Sequence, residues 1–170
     1  ELIGLIGAVD PYLQKLVDVG KLVVSPRNPT DTEKLATLIQ EAVNKLESEG
    51  INKIVLLARI QLDRVKILAQ FLRGVDIIVA AGAAGRSDMG DLNDELFQSE
   101  HATDKYFSEN YPFITEDNNG NPLIIVSVDG DYKYLGRLIV SFNNNGHIEL
   151  ESIDIDKAKF LCSLPKSLGI

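Results

Sequence analysis

Two hydrophobic periods alternate along this chain, and together they predict most of its elements. Between residues 51 and 88 two short apolar runs, 54–57 and 75–81, are almost continuous and rich in branched residues. That is the pattern of strands buried on both faces, as parallel strands under helices are. Between them Leu62, Val65, Leu68, Ala69 and Leu72 recur at three- and four-residue spacing, one face of a helix. Gly74 stands where a helix C-terminal stop belongs. Strand, helix, strand predicts a βαβ unit with a right-handed crossover.

The first third extends the same scheme. Residues 2–9 (LIGLIGAV) predict a strand, ended by Asp10-Pro11 because proline has no N–H for a ladder. Leu13, Leu16 and Val17 suggest one helical turn, 22–25 a short strand, and Pro26, Asn28 and Pro29 a loop. The longest helix is predicted over 31–49. Thr30-Asp31-Thr32-Glu33 matches the S/T-x-x-E capping box. Leu35, Leu38, Ile39, Ala42, Val43 and Leu46 make its apolar stripe, and Gly50 closes it. Strands 2–9, 54–57 and 75–81 are expected as parallel neighbours, covered by helices at 31–49 and about 61–72.

The last third changes character. Runs 112–115, 123–128, 134–142 and 147–155 read as strands of an antiparallel meander. Asn118-Asn119-Gly120-Asn121, Asp129-Gly130-Asp131 and Asn143-Asn144-Asn145-Gly146 are the turns between them. Broken alternation at Ile148, Leu150, Ile153 and Ile155 predicts a bulge near Glu151-Ser152. Division into an α/β domain over 1–156 and a tail or docking segment over 157–170 follows. The tail holds Phe160, Leu161, Leu164 and Leu168 and is interrupted by Pro165.

Composition narrows the classes. The chain has 170 residues, 45% of them hydrophobic, which fits one globular domain with a sizeable core. Its net charge of −8 argues against a duplex nucleic-acid binder. No apolar run approaches the roughly twenty residues of a membrane span. Cys162 is the single cysteine, and His101 and His147 are the two histidines. Residues 2–9 read as a buried strand with no lead-in, so a piece of a larger protein is expected.

Candidate chemistry gathers beyond the carboxyl ends of parallel strands. Here those ends are Ala58-Arg59 and the stretch Gly82-Ala83-Ala84-Gly85-Arg86-Ser87-Asp88. Arg59 and Arg86 could hold an anion such as phosphate, with backbone N–H donors from residues 82–85. The plainer reading pairs Arg59 with Asp63 or Asp88 and leaves Arg86 solvated. Asp88, Asp91, Asp94 and Glu95 offer oxygen ligands for Ca2+, but their spacing matches no calcium loop, and a solvated acidic loop is the simpler reading. Gly4 and Gly7 fit close backbone approach or a bulge better than a phosphate loop, since neither G-x-G-x-x-G nor G-K-[ST] follows.

The blocks LIGLIGAVDP, INKIVLLARIQ, LRGVDIIVAAG and YPFITEDNNGNPLIIVSVDGDYKYLGRLIVSF, in this order, resemble a known family. It is the calcineurin-like metallophosphoesterase domain of 5′-nucleotidases and related alkaline phosphatases, in its second half. The resemblance implies a partial metallophosphoesterase-like α/β sandwich, with a parallel βαβ core followed by the meander. It also implies two divalent metals, hydrolysis of phosphate esters, and an extracellular, periplasmic or cell-surface location. The family's Asp-x-His, Gly-Asp and Asn-His motifs are absent from these residues. The histidine that follows its Leu-Leu-Ser is replaced by Arg59 after Leu56-Leu57-Ala58. Gly82 and Ala84 occupy the places of its Gly-His-x-His histidines. An arginine offers no lone pair to a metal. A domain without the family's metal ligands is therefore expected, non-catalytic as an isolated chain and binding no cofactor. It would have a structural, surface or binding role. The alternative is the C-terminal part of an active phosphatase or 5′-nucleotidase, completed by a missing N-terminal segment. Either way, self-association or a partner chain is expected to cover the apolar surface left behind.

Overall fold

A computed structural model describes residues 1–81, 111–128, 134–153 and 161–162 of the chain. Its centre is a five-stranded sheet built from β1 (Gly4–Val9), β2 (Ile54–Arg59), β3 (Ile77–Ala80), β4 (Phe113–Glu116) and β5 (Pro122–Val126). The strand order is β1-β2-β3-β5-β4. The first four strands in that order run parallel, and β4 is antiparallel to β5 at the far edge. The expected parallel neighbours are thus found. The register pairs Val9 with Arg59, and Ala58 with both Ala8 and Ala80.

Helices fill the connections. After the single turn α1 (Leu13–Leu16), α2 (Thr32–Ser48) joins β1 to β2, and α3 (Leu62–Ala69) joins β2 to β3. Consecutive right-handed crossovers in one direction place both helices on one side of the sheet. That side buries Ile6, Leu56, Ala58 and Ile78 against Leu35, Ile39 and Val43 of α2 and Val65 and Leu68 of α3. A Cβ at Gly4 would lie 2.7 Å from Leu46, so α2 sits directly on β1 there.

The other side is covered unevenly. Residues 136–153 pack Leu138, Val140, Phe142, Ile148 and Ile153 into the core, and β8 (Ile148–Glu149) lies on β5. Beneath that cover Ile124 is fully buried. At the β1–β2 end of the sheet the same side stays open: Leu5 is 65% exposed and Leu57 46%.

Several sequence expectations need correction. No strand forms at 22–25, where Leu22 and Val23 point to solvent and only Val24 is buried. The cap of α2 lies one residue later than the capping box placed it. Asp31 is the N-cap, its carboxylate accepting from Lys34 N–H at 2.9 Å, while Thr30 Oγ1 bonds Asn28. The run 134–142 is paired only at its ends, in β6 (Tyr134–Leu135) and β7 (Ser141–Phe142). Between them Leu138 and Val140 alternate inward without a ladder partner. The bulge expected near Glu151 is a full 3-10 turn, Leu150–Ser152, which lets Ile148 and Ile153 both face inward. Ser152 Oγ locks it, donating to Glu149 C=O at 2.6 Å and accepting from Ser141 N–H at 2.7 Å. In the tail, β9 (Leu161–Cys162) pairs antiparallel with β6.

Candidate functional site

Each strand's carboxyl end is fixed by backbone bonds to its neighbour. Asp10 N–H donates to Arg59 C=O at 3.0 Å, and Ala81 N–H to Ala58 C=O at 2.8 Å. Val9, Arg59 and Ala81 therefore share one rim of the sheet. Strand alternation puts the Arg59 side chain on the open side, with Leu57 two residues before it. Among the described residues Arg59 forms no ion pair, neither with Asp63 nor with another acid. Gly82, Ala84, Arg86 and Asp88 lie outside the described residues, as do Asp91, Asp94, Glu95 and His101.

The residues that do meet at this rim were not singled out from the sequence. Asp10 forms an ion pair with Arg64, from the first turn of α3. The same Asp10 carboxylate accepts from Tyr12 N–H at 2.9 Å. Arg64 donates onward to Pro29 C=O at 2.6 Å and lies 4.9 Å from the Tyr12 ring centroid. This knot ties the end of β1, the loop before α2 and the start of α3. The βαβ frame itself was the available signal, because it brings the residue after β1 and the N-terminus of α3 to the same rim.

The described rim residues do not fit a pair of divalent metals. A two-metal site needs a dense set of oxygen and nitrogen donors around cations about 4 Å apart. Here Asp10 is engaged by Arg64, Ala58 and Ala80 have no donor, and Arg59 is a cation without a lone pair. No group of three His, Cys, Asp or Glu side chains is placed to hold a metal among the described residues. His147, half-buried, lies in the turn before β8, its N–H donating to Asn143 Oδ1 at 3.1 Å. A groove of about 500 Å³ runs along α2 past Thr37, Gln40 and Phe71 and contains none of the rim residues.

At the opposite rim lies a buried acidic pair. Asp76 Oδ2 accepts from Ile54 N–H at 2.7 Å. Burial above all, then the charges of Asp117 and Glu47, raises its pKa to about 7, against the opposing pull of the Ile54 hydrogen bond and Lys53. Asp117 binds three backbone N–H groups, of Gly74, Asn119 and Asn121, at 2.8–2.9 Å. It thereby fastens the β4–β5 turn to the loop before β3.

Comparison with known proteins adds the kinship. No family model matches the chain. It is 28% identical over 148 residues to the 5′-nucleotidase of Rattus norvegicus and 27% identical over the same length to that of Homo sapiens. Each match takes in 87% of this chain. Snake venom 5′-nucleotidase of Crotalus adamanteus is 28% identical over 110 residues, 65% of the chain. Among solved structures, the 5′-nucleotidase precursor of Thermus thermophilus superposes with a TM-score of 0.55 and 25% identity, over 67% of this chain and 20% of that one. The NAD nucleotidase of Haemophilus influenzae gives the same score and identity, over 19% of its length. The chain spans 23% of the length of the mammalian relatives.

Proposed function

We propose, for a chain that corresponds to the second half of a 5′-nucleotidase-type metallophosphoesterase domain, that it is a non-catalytic α/β unit with a structural or binding role. The observation that carries this reading is Arg59. It closes β2 at the sheet rim, where the family resemblance calls for a metal-binding histidine, and it presents a fixed cation there. Engagement of Asp10 by Arg64 supports it, because the carboxylate that follows β1 at that rim is already paired with a cation. A location outside the cytoplasm is part of the same proposal, supported by the venom origin in the name of the Crotalus adamanteus relative. No described helix is long and apolar enough to cross a membrane.

The test is hydrolysis of p-nitrophenyl phosphate and AMP by the 170-residue chain, with manganese, zinc, cobalt or calcium added. Rates at background are expected. Metal-dependent turnover that survives removal of contaminating phosphatases overturns the reading.

One observation favours a second reading, an incomplete catalytic unit whose metal ligands come from another segment. The chain matches under a quarter of its mammalian relatives' length, and its sheet has an open end. Recovery of hydrolysis on mixing with a separate metal-bearing segment would select that reading.

A further inference from the structure

We propose that Asp76 and Asp117 form a proton-operated latch at the amino rim of the sheet. While Asp76 is protonated, the β4–β5 turn is held on the loop before β3; loss of that proton lets the turn open while the sheet stays folded. Neither a metal nor Arg59 takes part, so the latch stands apart from the non-catalytic reading.

Two hydrogen bonds join the turn, residues 117–121, to the loop that follows α3. Asp117 Oδ2 accepts from Gly74 N–H at 2.9 Å, and Asn118 N–H donates to Leu72 C=O at 2.8 Å. That loop is also fixed to α2, where Gln40 donates to Arg73 C=O at 3.1 Å and accepts from Arg73 N–H at 3.0 Å. Asp76 is bound into the sheet on both sides. Its N–H donates to Ile54 C=O at 3.0 Å, its C=O accepts from Ile124 N–H at 2.8 Å, and its Oδ2 accepts from Ile54 N–H at 2.7 Å. Asn118, Asn119 and Gly120 are exposed. With the loop anchored to helix and sheet, the turn is the part free to swing.

Asp76 and Asp117 are the two buried charged residues among those described, each 6% exposed. Neither forms an ion pair among the described residues. The Asp117 carboxylate is met by three backbone N–H groups, of Gly74, Asn119 and Asn121. The Asp76 carboxyl has one donor, Ile54 N–H. A carboxyl out of water, beside a second carboxylate and with a single donor, holds its proton. Two further groups act on it: Glu47 at the end of α2 adds to the repulsion, and Lys53 before β2 opposes it. Lys53 is engaged elsewhere, its Nζ 3.3 Å from Asn52 Oδ1 and 3.7 Å from Glu1. The flanking strands bring Ile54, Leu123 and Ile124, without charge. An ionised Asp76 therefore places a second negative charge in one buried site with no cation bound to it. Swinging the turn outward hydrates Asp76 and carries the Asp117 charge away, for the loss of two hydrogen bonds to the loop.

Proton binding sets the direction. Closed, Asp76 has its pKa raised to about 7, first by burial; hydrated in the open form, it returns toward 3.8. The closed form binds the extra proton. Opening therefore becomes easier by up to about tenfold per pH unit between about 4 and 7 and levels off above that. The latch is tightest in acid and loosest above neutrality.

Amide hydrogen exchange on the 170-residue chain tests this, from about pH 5 to about pH 8, with each rate corrected for the intrinsic pH dependence of exchange. The amides of Gly74 and Asn118 report on the latch, and that of Val43, inside α2, on unfolding of the whole chain. Protection at Gly74 and Asn118 should fall at least about tenfold as pH rises. Dilute urea should leave their protection unchanged while lowering that of Val43. The Asp76 carboxyl carbon, followed by NMR, should titrate with the midpoint of that fall. Asp76→Asn keeps an acceptor for Ile54 N–H and should abolish the fall, and Asp117→Asn, which removes the second charge, should shrink it. His147→Gln should leave it intact, since the groups acting on Asp76 include no histidine. Flat protection overturns the proposal, as does an Asp76 carboxyl that titrates at about 4, or a fall that survives Asp76→Asn. A loss at Gly74 and Asn118 that follows urea in step with Val43 also overturns it, because the proton then acts only on unfolding of the whole chain. Should Asp76→Asn not fold, the titration and the urea series on the native chain decide by themselves.

Discussion

Asp76 keeps a proton in the folded chain over a pH range in which an unfolded aspartate has lost it. Its pKa is about 7 when folded, against 3.8 for a free side chain, with burial as the first cause. A folded state that binds the extra proton is stabilised relative to the unfolded chain at low pH. That contribution falls as pH rises from about 4 and is gone above about 7. Asp76→Asn removes the titration, and its side-chain oxygen can still accept from Ile54 N–H. The variant should match the native chain near pH 4 and exceed it at pH 8, by at most about 4 kcal/mol. Thermal melts at the two pH values check this, and a variant less stable at pH 8 refutes it. Asp117 acts through a different cause. Asp117→Ala leaves the N–H groups of Gly74, Asn119 and Asn121 without their acceptor. A loss of about 2–3 kcal/mol is expected at pH 6–8, read by urea denaturation. It should also lower the pKa of Asp76, because the Asp117 charge raises it.

Among the elements, α2 shows how a cap can be legible in kind and misplaced by one residue. Thr30 and Asp31 both suit an N-cap, and local pattern does not choose between them. The choice follows the Asn28 side chain, which takes both the N–H and the hydroxyl of Thr30. Asp31→Ala should therefore destabilise the chain by about 1 kcal/mol and Thr30→Ala by less, a ranking that denaturation midpoints can reverse or uphold. Gly74 was read as the stop of the helix over 61–72, but α3 ends at Ala69 with Gln70 as its C-cap, and Gly74 instead turns the following loop at a φ of +71°. A Cβ there would also lie 2.5 Å from Glu47 Oε1. The parallel strands could be read because each is short, apolar and bounded by turn residues. The pieces after residue 134 could not, because their order is set by what they cover: Leu138 and Val140 pack inward without any ladder to mark them. The Asp10–Arg64 pair was hidden for a related reason, since 54 positions separate two residues that only the crossover brings together.

For the whole molecule the balance of charge decides what Arg59 can hold. Anions in free solution meet a surface with a net charge of −8. At physiological ionic strength charges are screened beyond about 8 Å, so attraction to this rim rests on its nearest groups. Arg64 is paired with Asp10 and anchored to Pro29, while Arg59 forms no ion pair among the described residues. A single exposed charge pair is worth about 0–1 kcal/mol, far short of a specific phosphate site. Calorimetric titration of the native chain with phosphate, sulfate and AMP should show no saturable binding below about 1 mM, where binding would need about 4 kcal/mol. The Arg59→Ala, Arg86→Ala variant should behave the same. A saturable isotherm that the variant loses and that weakens with salt would instead show a retained anion pocket, with Arg86 as the second cation.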